Sequence, residues 1–90
     1  MSTLKIAVNL DPDPPEFHDA DTYFGLLKAI RVAVRWDFNQ RNDRDYMIWA
    51  LELVTGKSVT LPDDPEDAAR MFIHTLIAHQ RITPIDGIEV

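Results

Sequence analysis

The chain has 90 residues, no cysteine, and 15 acidic against 9 basic side chains, for a net charge of −6. That length argues for one domain over residues 1–90. The missing thiols exclude disulfides and thiolate metal sites, and the acidic balance disfavours phosphate backbones and anionic membranes. The 46% hydrophobic content speaks against disorder.

Leu4, Ile6, Val8 and Leu10 alternate with more polar neighbours, the period of a half-buried strand. Asp11-Pro12-Asp13-Pro14-Pro15 ends it, because proline removes backbone donors and stiffens the chain. The expected loop runs on through Glu16-Phe17-His18-Asp19, with Phe17 folding back as an anchor.

A first helix is expected from about Asp21 to Asn39, capped by Asp19 or Asp21. Lys28, Arg31, Arg35 and Asn39 share one edge at helical spacing, and apolar residues spread over the opposite side. Gly25 marks either a weak point or a close approach. Asp37 falls within the apolar arc, where a structural ion pair with Arg41 or Arg44, or exposure at a fraying helix end, is favoured over an acid–base role.

The second helix starts at the cap Asn42, with Asp45 completing an imperfect capping box, and stops before Gly56. The short gap between the two helices suggests an antiparallel hairpin. Tyr46-Met47-Ile48-Trp49-Ala50-Leu51-Glu52-Leu53-Val54 is apolar on nearly every side, with Asp45 and Glu52 marking the one polar strip. A surface helix in a small domain normally shows one apolar stripe, so the rest must be covered by this domain or by another chain.

Ser58-Val59-Thr60-Leu61 reads as a short strand. Asp64-Pro65-Glu66-Asp67 is the clearest helix start in the chain, combining a cap, a proline at the first position and acids behind it. That third helix turns Ala69, Phe72, Ile73 and Leu76 inward and ends before Pro84. Ile85 to Val90 reads as a final strand, or equally as a turn at Asp86-Gly87. The expected fold is α+β: three helices, two of them forming an αα-hairpin, packed on a small two- or three-stranded sheet made by the chain ends.

No motif carries chemistry. Gly56-Lys57-Ser58 resembles the end of a phosphate loop, but Leu51 stands where that loop needs its first glycine. His74 and His79 are five residues apart and diverge on a helix, so they do not share a metal, and His79 is expected nearer the apolar face. No nucleophile elbow or dinucleotide turn is present. No catalytic residue, cofactor, metal or small-molecule ligand is therefore expected, and the protein is not expected to be an enzyme.

Three binding readings follow. The first is a non-enzymatic module that binds a protein partner, or itself as a homodimer, through Tyr46, Ile48, Trp49 and Glu52. The second is an acidic mimic of nucleic acid, offering Asp11, Asp13, Glu16, Asp63, Asp64, Glu66 and Asp67 to a DNA- or RNA-handling protein. The third, nucleic-acid binding through Lys28, Arg31, Arg35, Arg41 and Arg44, is the least favoured on charge. The segment Met1-Ser2-Thr3-Leu4-Lys5-Ile6 lacks a signal-peptide pattern and no apolar run reaches the ~18 residues of a membrane span, so the cytoplasm is the expected compartment. Size and acidity suit a small accessory protein of the kind carried by phages and other mobile elements.

Overall fold

The computed structural model describes residues 3–9, 14–34 (backbone only for 32–34) and 42–88. Its elements run β1 (Leu4–Val8), β2 (Glu16–Ala20), α1 (Tyr23–Val34), α2 (Asp43–Thr55), α3 (Pro65–Ala78) and β3 (Ile82–Asp86). The fold is α+β: α1 and α3 pack on a three-stranded antiparallel sheet, ordered β2-β1-β3 and built from the two ends of the chain, and α2 packs on α3. Asp11, Asp13, Arg35, Asp37, Arg41 and the far end of the expected first helix lie outside the described residues, as does most of the connection between α1 and α2.

β1 is the central strand. Its inward side chains Ile6 and Val8 enter the core beside Leu26, Leu27 and Ile30 of α1, Phe72, Ile73 and Leu76 of α3, and Ile82 of β3. The same cluster takes in Tyr46, Met47, Ala50 and Leu51 of α2. α3 packs against both α1 and α2. Its inward set Ala69, Phe72, Ile73 and Leu76 follows the expected helical spacing. No helix among the described residues is long and apolar enough to cross a membrane.

β2 corrects the sequence reading. Glu16–Asp19 is strand, not loop, paired from Leu4↔Ala20 to Val8↔Glu16. Its sequence has no apolar alternation, so only pairing with β1 makes it a strand. Phe17 does not fold back as an anchor. It opposes Ala7 in the register and lies 62% exposed on the sheet face away from the helices.

β3 also differs, starting at Ile82 and containing Pro84. A proline is tolerated there because β3 is an edge strand. A register shift at Lys5/Ile6 leaves Ile85 as the extra residue, opposite no partner. The strand expected at Ser58–Leu61 is irregular chain. It is held because Leu61 plugs the core and Arg44 donates to the Leu61 and Pro62 carbonyls at 3.0 and 2.8 Å.

The start of α1 is not capped by Asp19 or Asp21. Thr22 Oγ1 accepts from the Gly25 N–H at 3.0 Å, and the Glu66 carboxylate of α3 accepts from the Tyr23 and Phe24 N–H groups at 2.8 and 3.0 Å. Gly25 marks a close approach: a Cβ there would lie 2.9 Å from the Ala20 Cβ of β2. α3 ends with Gln80 in the left-handed region (φ 60°), its carbonyl held by the Asn9 side chain at 3.0 Å. His79 is exposed at this terminus, not on the apolar face as expected.

Candidate protein-interaction face

The second helix forms as its sequence directs. Asn42 Oδ1 accepts from the Asp45 N–H at 2.8 Å, and the Asn42 amide donates to the Asp45 carboxylate at 3.2 Å. This is a variant of the capping box, with the cap side chain rather than its backbone as the second donor. Gly56 ends the helix in the left-handed region (φ 71°), its N–H bonded to the Glu52 carbonyl at 2.8 Å. The glycine before Lys57 is thus a helix stop, with no phosphate cradle around it.

The core accounts for only one side of α2. Tyr46, Met47, Ala50 and Leu51 are buried. Tyr46 therefore belongs to the core and not to an accessible face, a correction to its place among the interface residues. It packs 6.1 Å from both the Trp49 and Phe72 rings, with the Arg31 guanidinium over its own ring at 4.8 Å. Ile48 and Trp49 are half-buried against the core edge, and Glu52 is exposed.

Leu53, absent from the expected interface, is 63% exposed, the largest value among the described large hydrophobic residues. At helical spacing it sits about 40° around from Trp49, continuing the same apolar strip. The helix projection contained that signal.

The charged residues near the helix starts are committed to structure. Asp43 binds Lys28 Nζ and Arg31 Nη1, each at 2.7 Å, and so ties α1 to α2. Partial burial pushes the Asp43 carboxyl up, but hydrogen bonds and charge from Lys28 and Arg31 outweigh it, and its pKa lies below the usual aspartate value. Of the basic edge, Lys28 and Arg31 are thus paired, Arg44 grips two carbonyls, and Arg35 and Arg41 lie outside the described residues.

The acids divide by role. Asp64 caps α3 by accepting from the Asp67 N–H at 3.0 Å, and Glu16 contacts His18 at 3.3 Å on β2. Asp63 lines an open cleft of about 370 Å³ with Phe24, Met47 and the start of α2. Because Glu66 bonds the Tyr23 and Phe24 amides, the start of α3 lies beside the start of α1, just after Asp21. Glu16 lies at the other end of β2, opposite Val8, and Asp11 and Asp13 lie outside the described residues. Among the described residues, no three His, Asp or Glu side chains are grouped to hold a metal ion.

No protein-family model matches this chain, and no curated protein or solved structure shows significant similarity to it.

Proposed function

We propose that the protein is a non-enzymatic module that binds another protein through the outer side of α2, with Trp49 and Leu53 as the apolar anchors. The observation that carries this reading is Leu53, held 63% exposed on a capped helix beside a half-buried tryptophan. Holding an apolar side chain in water is unfavourable, and tryptophan is enriched among interface hot spots. Asp45 and Glu52 run along the same side and are both exposed. A two-fold pairing of α2 with its own copy would set these carboxylates against each other, in a chain already at −6. The partner is accordingly a different protein, with an apolar groove flanked by basic residues.

Light scattering across a concentration series, combined with capture by wild-type, Trp49→Ala and Leu53→Glu baits, tests the reading. The expected result is a monomer whose captured partner, once purified, binds the variants more weakly by ~1–4 kcal/mol. A stable homodimer broken by Leu53→Glu would overturn the choice of a foreign partner. Equal binding by all three baits would overturn the face.

A second reading is the acidic mimic, supported by Asp63, Asp64 and Asp67, exposed together at the start of α3. It requires binding to a basic nucleic-acid-handling protein that weakens with salt and with Asp63→Asn plus Asp67→Asn. Insensitivity to both would remove it. Direct nucleic-acid binding is not proposed, since Lys28, Arg31 and Arg44 are engaged within the fold.

A further inference from the structure

The sheet has two edges, and they differ. β3 carries Pro84, which has no N–H to donate, and the irregularity at Ile85 breaks its ladder. Both features blunt an edge against further pairing. β2 has neither. It contains no proline and pairs with β1 without a register shift, from Leu4↔Ala20 to Val8↔Glu16. It ends the order β2-β1-β3, and among the described residues no backbone bond joins it to anything beyond β1. On an antiparallel edge strand every second residue turns its N–H and C=O away from the neighbouring strand. β2 therefore offers a row of free donors and acceptors about 17 Å long, at ~3.4 Å per residue.

The side chains along this edge decide what pairs with it. Phe17 and Asp19 lie on the bare outer face, opposite Ala7 and Lys5 of β1, while Glu16 and His18 lie on the other, opposite Val8 and Ile6. Phe17 is 62% exposed. Glu16 and Asp19 are exposed too, and exposed Asp21 follows them. A second copy is a poor occupant, because it brings together two acidic edges on chains that each carry −6. A strand bearing basic side chains gains where a second copy loses.

We propose that the free edge of β2 takes up an extended, basic segment of another protein as a fourth strand, antiparallel to β2. Main-chain hydrogen bonds supply the affinity, and the flanking side chains supply the specificity. The incoming strand carries Lys or Arg opposite Asp19 and Glu16 and a β-branched side chain opposite Phe17, the kinds of cross-strand pair that stabilise a sheet. The α2 face takes no part in this pairing, and the proposal does not depend on it.

The test is NMR on the labelled full chain with the capped peptide Gly-Thr-Lys-Thr-Val-Arg-Gly. Running antiparallel to β2, it sets Lys, Val and Arg opposite Asp19, Phe17 and Glu16. Saturable shifts at the amides of Glu16–Ala20 are expected. Two N-methylated versions, one blocked at Lys and Val and one at both Thr, separate edge pairing from loose charge attraction. Alternate N–H groups face opposite ways, so one version should lose binding by at least ~10-fold and the other should keep it. Exchanging Lys and Arg for Glu should weaken the peptide by at least ~10-fold, and Asp19→Lys should weaken the original by at least ~3-fold. No shift at β2, equal binding by the two methylated versions, or indifference to the charge exchanges would overturn the proposal. Shifts at β2 that follow protein concentration without peptide would place a second copy on the edge and overturn the choice of a foreign strand.

Discussion

Glu66 and Tyr23 stand 43 residues apart, yet the Glu66 carboxylate accepts the Tyr23 N–H at 2.8 Å and the next N–H along, from Phe24, at 3.0 Å. With Thr22 taking the Gly25 N–H, the first three donors of α1 are satisfied. α1 has no acid in its own first turn, so a carboxylate from α3 also supplies the negative charge its dipole favours. Removing that side chain leaves two half-buried donors open. Glu66→Ala is expected to destabilise the fold by about 2–3 kcal/mol. Glu66→Gln, which keeps one acceptor oxygen, should lose roughly half of that by the same argument. Urea unfolding of the three proteins checks the order; equal stability would mean that the carboxylate is not holding α1.

Asp43 should give the protein a measurable acid sensitivity. Its carboxyl is more acidic in the folded state than the ordinary value of 3.8, so the unfolded chain takes up the proton first. Its stabilising effect is then complete above that value and fades as pH falls through the lower folded value. Asp43→Asn should destabilise the protein near neutral pH by about 1–2 kcal/mol. It should also flatten the fall in stability below about pH 4. The same slope in wild type and variant would contradict the pairing with Lys28 and Arg31.

Gln80 closes α3 in the left-handed region at φ 60°, which an ordinary side chain adopts only at a cost. Glycine carries no such cost, and the cap is otherwise complete, with Arg81 N–H reaching the Leu76 carbonyl at 2.9 Å. Gln80→Gly is expected to stabilise by about 0.5–1 kcal/mol, read as a higher melting temperature. A lower melting temperature would contradict the account of this helix end.

Gly25 tests the approach of α1 to the sheet. Within an open helix, glycine to alanine normally gains about 1 kcal/mol. Here the new methyl would meet the Ala20 Cβ at 2.9 Å, on a strand that cannot yield without disturbing its pairing with β1. Gly25→Ala should therefore destabilise by about 1 kcal/mol, the opposite sign to the propensity effect. A stabilised variant would mean that α1 has room to move away.

Features that depend on neighbours in sequence were legible from it. Asn42, Gly56 and Asp64 sit where cap chemistry put them, and Phe72, Ile73 and Leu76 face inward as their spacing requires. What was missed depends on distant partners. Nothing in Glu16–Ala20 announces a strand, because β1 supplies its hydrogen bonds. Glu66 looked like a first-turn acid of its own helix, and no local rule points it at Tyr23. At the candidate site, the exposed side of α2 was located by its narrow polar strip, Asp45 and Glu52. Tyr46 is buried and Leu53 is exposed, which an all-round apolar helix does not announce, because it does not say which side the domain itself will cover.

Whether Leu53 and Trp49 dock a different protein, as proposed, is decided most directly by crosslinking. A photo-crosslinking amino acid placed at position 53, with exposed Thr60 as the control site, tests it in cells that express the protein. The expected result is one dominant adduct whose mass differs from that of a dimer of this chain, seen at 53, absent at 60, and reduced by Trp49→Ala. No adduct at 53, or only the mass of a homodimer, would contradict it.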